Sequence, residues 1–124
     1  MKIFRLLCIA VLGFLLFFSC ENQNEEDLFG ITVCDTTNVT YSNFIVPFLE
    51  NNCFSCHSQS TAIGRPVLEG YANLKVVADD GRFRSVINHE PGFPQMPQNI
   101  LPNKLPECQL KKVDVWINQG ALEN

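Results

Sequence analysis

The chain has 124 residues, with 13 Asp/Glu against 9 Lys/Arg and a formal net charge of −4. That length suits one domain. The acidic balance argues against nucleic acid as a partner, because binding phosphate requires clustered Lys/Arg. Six cysteines are spread along it, at positions 8, 20, 34, 53, 56 and 108.

Residues 1–19 have the layout of an export signal. Lys2 and Arg5 charge the start, residues 6–18 are apolar, and Ser19 is small. The apolar stretch is shorter than the roughly twenty residues of a membrane span. It is also apolar all round with no evident packing partner, which disfavours a buried helix. Phe17-Phe18-Ser19-Cys20 resembles a bacterial lipoprotein box, with Phe17 where Leu is usual. That resemblance implies cleavage before Cys20 and lipidation of its thiol; simple cleavage and an uncleaved anchor are the alternatives. Cys8 would leave with the signal. Without Lys2 and Arg5 the mature chain has 7 basic against 13 acidic residues, a formal charge of −6. Residues 21–27 are polar and acidic with no apolar face, and read as a solvated tether. Residues 20–33 are thus expected to link a lipid anchor to a domain spanning 34–124. The chain is expected to be exported and membrane-anchored, at the periplasmic face or the cell surface.

In the domain, a first helix is expected from Ser42, a good N-cap residue. Phe44, Ile45, Phe48 and Leu49 form one helical stripe. Pro47 conflicts with that stripe, so the helix is either kinked or begins late. It ends at Cys53-Phe54-Ser55-Cys56-His57, a C-x-x-C-H run and the attachment signature of c-type haem. Two thiols at this separation match the two vinyl groups of haem and add across them as thioethers. The adjacent imidazole then binds iron as the proximal ligand. Two other readings compete. A thioredoxin-like redox pair needs a βαβ setting, and no Val/Ile-rich strand precedes the motif. A zinc site would need Cys34, Cys108 or His89 to complete it.

Residues 58–64 are small and polar and read as loop, and 65–68 as extended chain. Short helices are expected over 71–78, burying Tyr71 and Leu74, and over 82–88, burying Phe83, Val86 and Ile87. Asp79-Asp80-Gly81 separates them. Residues 91–106 hold five of the seven prolines and exclude helix and inner strand. Met96, the only methionine of the mature chain, lies in this stiff loop. The last helix is expected over 106–119, with Pro106 at its first position. Leu110, Val113, Trp116 and Ile117 form its core stripe, and Gly120 its C-terminal cap.

A helix before C-x-x-C-H, a Met on a proline-rich loop and a final amphipathic helix with an aromatic together resemble class I cytochrome c. The closer likeness is to small monohaem domains of bacterial lipoproteins, over residues 36–122. This resemblance implies an all-α, cytochrome c-like fold with long loops around one covalent haem. Cys53 and Cys56 would be the thioether positions, with His57 and Met96 the iron ligands. The Pro66 carbonyl would hold the free ring nitrogen of His57, and Trp116 would pack near the haem where the first and last helices cross. His89 is the rival sixth ligand; bis-His ligation would lower the potential, whereas Met raises it. Phe44, Phe48, Phe54, Tyr71, Phe83 and Phe93 read as core and haem wall. One of Arg65, Arg82 and Arg84 is available to a haem propionate.

With the other cysteines assigned, Cys34 and Cys108 remain, and an oxidising compartment favours their disulfide over two buried thiols. The functional expectation is a one-electron carrier with redox-protein partners, a lipid anchor and no substrate of its own. The alternatives are a haem enzyme or gas sensor with an open sixth iron position, and a non-haem redox-disulfide module.

Overall fold

Thr40 opens the helical part of the chain. Its hydroxyl accepts from the Asn43 N–H at 3.1 Å, and the Asn43 side chain accepts from the Thr40 N–H at 2.9 Å. This reciprocal capping box lies two residues before the expected cap, Ser42. The Tyr41 and Ser42 N–H groups instead donate to the side chain and main chain of Asn124, each at 2.9 Å. The first turn, Tyr41–Ile45, is a wide π turn, and the Val46 N–H closes it on the Tyr41 carbonyl. Regular α geometry starts only in α1, Val46–Asn52. Pro47 therefore sits in the first turn of α1, directly after the π turn, a position proline tolerates. The apparent conflict resolves as a late start to the α-helix.

The computed structural model describes residues 33–62 and 65–124; the signal, Cys20 and the tether to residue 32 lie outside them. Residues Cys34–Asn124 form one unit. After α1 come α2 (Phe54–His57), α3 (Tyr71–Asp79), α4 (Arg82–Ile87), a 3₁₀ turn (Gln98–Ile100) and α5 (Glu107–Asn118). Among the described residues there is no strand, so the domain is all-α with long connections. None of the described helices is long and apolar enough to cross a membrane.

The core draws on every helix but α2. Ile45, Leu49, Leu74, Ile87, Val113 and Trp116 are fully buried, each worth about 1.5–3 kcal/mol in transfer terms. Phe48 of α1 meets Phe83 of α4 edge-on at 6.4 Å between ring centres, which joins the first helix to the middle of the chain. The α5 stripe holds at Leu110, Val113 and Trp116, while Ile117 is only half-buried. Pro106 has extended backbone and stands outside α5 as its N-cap.

The C-terminal tail closes the fold. Gly120 takes a left-handed φ of 93°. Its N–H bonds the Ile117 carbonyl, and the Ala121 N–H bonds that of Trp116. This is a Schellman cap, in which glycine avoids the Cβ penalty of a left-handed residue. Beyond it the Ala121 carbonyl accepts from the Tyr71 hydroxyl, and the Leu122 carbonyl from Trp116 Nε1, both at 2.9 Å. Together with the Asn124 bonds to Tyr41 and Ser42, these tie α5 and α3 to the start of the first helix. Trp116→Phe removes one donor and leaves the Leu122 carbonyl unpaired. We expect a loss of about 1–2 kcal/mol in urea unfolding; an unchanged midpoint would mean that this bond does not hold the tail.

Candidate functional site

The C-x-x-C-H run takes its shape from the break between α1 and α2. Cys53 ends α1 with its N–H on the Leu49 carbonyl at 2.8 Å. Its own carbonyl then accepts from the N–H groups of Cys56 at 3.0 Å and His57 at 2.9 Å. One turn thus carries both cysteines and the histidine, and three-residue spacing brings Cys56 to the same face as Cys53. Neither cysteine is in a disulfide. Cys53 is half-buried and Cys56 exposed. Burial pushes the Cys53 thiol up to about 12, the opposite of the lowered values that make a redox-active nucleophile.

His57 is strapped to the chain that follows the loop. Its carbonyl accepts from the Leu68 N–H at 2.9 Å, and its Nδ1–H donates to the Pro66 carbonyl at 2.8 Å. The carbonyl can only accept, so the proton is on Nδ1 and the lone pair of the neutral ring is on Nε2. The backbone N–H of Gln59 donates to the Glu69 carboxylate at 2.8 Å, which pins the intervening loop at its base.

These residues line a cavity of about 440 Å³, within the range of small-molecule and cofactor sites. Cys53, Cys56, His57 and Pro66 form one part of its lining. Met96, Phe93, Pro94 and Pro97 of the proline-rich loop contribute another, and Leu68, Val77, Phe83, Val86 and Ile87 make the wall mostly apolar. Arg65 and Arg82 also line it. Arg82 is paired with Asp80, which accepts from its Nε at 2.7 Å. Arg84 is off the cavity, paired with Asp114 of α5 at 2.9 Å. Among the described residues Arg65 has no carboxylate partner.

Met96 is half-buried, and its backbone is held on both sides. Its N–H donates to the Val86 carbonyl at 3.0 Å, and its carbonyl accepts from His89 Nε2 at 3.1 Å. His89 is absent from the cavity lining. The rival sixth ligand thus has its Nε2 committed to the backbone of the other candidate. Nothing in the sequence signalled this bond, which spans seven residues and depends on the path of the loop.

Trp116 does not line the cavity. It is fully buried on α5, which contributes nothing to the wall, and it packs against Tyr41 at 6.2 Å. Its stripe faces the opening turn and the tail, so its role here is in the core. Of the six aromatics read as core or wall, Phe48 and Phe83 are buried, and Phe83 and Phe93 reach the cavity. Phe44 is half-buried under the Lys112 ammonium, 5.3 Å from the ring centre.

Cys34 and Cys108 are joined as a disulfide. That removes both thiols from any zinc site, and His89 is turned to Met96. Among the described residues no group of three His, Cys, Asp or Glu side chains is arranged to hold a metal ion. No family model matches the chain, and neither does any curated protein or solved structure.

Proposed function

We propose that the chain is a one-electron carrier built on a single covalent haem c, with His57 and Met96 as its iron ligands. The observation that carries this reading is one cavity lined by two free thiols, an imidazole with its Nδ1–H already engaged, and a thioether. This donor set suits a c-type haem, since nitrogen and thioether ligands satisfy iron and the thiols suit thioether attachment. The apolar wall suits a flat hydrophobic macrocycle, and Arg65 and Arg82 offer cations to its carboxylates.

When bound, the haem supplies a one-electron iron couple. The chain's own residues do the rest. Cys53 and Cys56 would hold the group covalently through either oxidation state. Pro66 would fix the His57 ring by accepting from Nδ1–H, which leaves the Nε2 lone pair free to bind the metal. The loop backbone, bonded at the Met96 N–H and carbonyl, would hold the Met96 thioether as the second protein ligand and so exclude peroxide or gas. The cytochrome c-like reading of the fold rests on the same grounds, whereas the export signal at 1–19, the lipid on Cys20 and the acidic tether rest on the sequence pattern alone. The lipid and tether would keep the domain beside membrane redox partners while letting it swing.

The test is the visible spectrum of protein expressed with a haem-attachment system, before and after exogenous ligand. Reduced wild type should bind carbon monoxide slowly, and oxidised wild type should bind cyanide slowly. With an iron-open state populated at about 1%, apparent affinity is about a hundredfold below that of Met96→Ala. Equal, rapid binding by both proteins, or peroxide turnover with a donor, moves the chain to the open-site enzyme or sensor class.

A further inference from the structure

We infer that His89 is a positioning residue for Met96: its imidazole clamps the main chain of the proposed iron ligand and holds the thioether in the cavity. The inference rests on the reading of Met96 as the sixth ligand. It starts from the shortage of donors in the loop. Pro91, Pro94 and Pro97 have no N–H to give. From residue 91 to 97 the main-chain N–H groups bonded to another main-chain carbonyl are those of Phe93, to Glu90 at 3.2 Å, and Met96, to Val86 at 3.0 Å. A stiff chain held at so few points pivots about them. The bond from His89 Nε2–H to the Met96 carbonyl, at 3.1 Å, supplies a second hold on residue 96 itself.

The backbone of His89 supports the same role. Its φ is 54°, a left-handed conformation that side-chain-bearing residues seldom adopt. It persists because the flanking bonds impose it: the Glu90 N–H donates to Ser85 at 3.0 Å, and the Asn88 N–H to Arg84 at 3.1 Å. This bend at the end of α4 turns the chain back, so that the imidazole reaches residue 96. The Val86 carbonyl at the same helix end receives both the His89 and the Met96 N–H. The end of α4 is therefore the anchor for the ligand loop, through one main-chain and one side-chain bond.

The test compares His89→Ala, His89→Asn and His89→Gln in the haem-loaded protein. Asn tolerates the left-handed backbone but is too short to reach Met96, whereas Gln offers an amide donor near the position of Nε2. Losing one ordinary hydrogen bond should raise the Met96-released population about fivefold. We expect cyanide binding to the oxidised Ala and Asn variants, and amide hydrogen exchange at Met96, to quicken by about that factor. The red charge-transfer band of thioether-ligated ferric haem should weaken in step. His89→Gln should return all three towards wild type. Wild-type rates in His89→Asn, or a Gln variant as fast as Ala, would overturn the inference while leaving the carrier intact. Wild-type protein without covalent haem, or as open to cyanide as Met96→Ala, overturns the functional reading and this inference with it.

Discussion

Cys53→Ala/Cys56→Ala protein should carry no haem through denaturation, whereas wild type should carry one per chain. The effect is expected to be complete because no other thiol of the described domain is available. Cys34 and Cys108 are joined to each other, which leaves Cys53 and Cys56 as the only free cysteines among the described residues. Both line the cavity beside His57, so the single variants should each retain one attachment. Intact mass after denaturation, with haem staining on a denaturing gel, reads the result directly. Covalent haem on the double variant, or apo mass alone in the wild type, would remove the basis for the proposed function. A labile haem in the double variant would still separate attachment from ligation, since His57 and Met96 remain.

Cys34→Ala/Cys108→Ala should cost about 4 kcal/mol of stability on the chain-entropy model. The two cysteines are 74 residues apart in sequence, and a cross-link over so long a loop removes many conformations from the unfolded chain. At about 4–8 °C per kcal/mol for a domain of this size, the melting temperature should fall by roughly 20 °C. Every residue that lines the cavity lies inside this loop, from Asn52 to Asn99. The bridge joins the start of the folded unit to the first turn of α5. The haem-loaded variant should lose less than the haem-free one, because a group bound only by the folded state stabilises it. Denaturant unfolding with and without reductant measures the difference. Equal midpoints, or two thiols that react with label in unreduced, denatured protein, would show that the bridge does not form in solution.

Features that depend on neighbours in the chain were legible without coordinates. Cys53, Cys56 and His57 share one helical turn, so their spacing alone places both thiols on one face. The stripes of Leu74 in α3 and of Leu110, Val113 and Trp116 in α5 repeat at the helical period, and these residues are buried. Proline likewise acts locally: residues 91–106 contain no strand and no α-helix, although a short 3₁₀ turn, Gln98–Ile100, forms within them. The tertiary structure decided whatever depends on partners far along the chain. The opening turn, capped by Thr40, is held by Asn124, more than eighty residues on, which takes the Tyr41 and Ser42 N–H groups. Trp116 belongs to the core and not to the cavity because its face of α5 meets Tyr41 and the tail. Arg82 lines the cavity and Arg84 does not, although two positions on one short helix look alike in sequence. His89 and Met96 read as competitors for one iron position, since either side chain is a competent ligand. Only the path of the loop between them, which no period encodes, turns one to hold the backbone of the other.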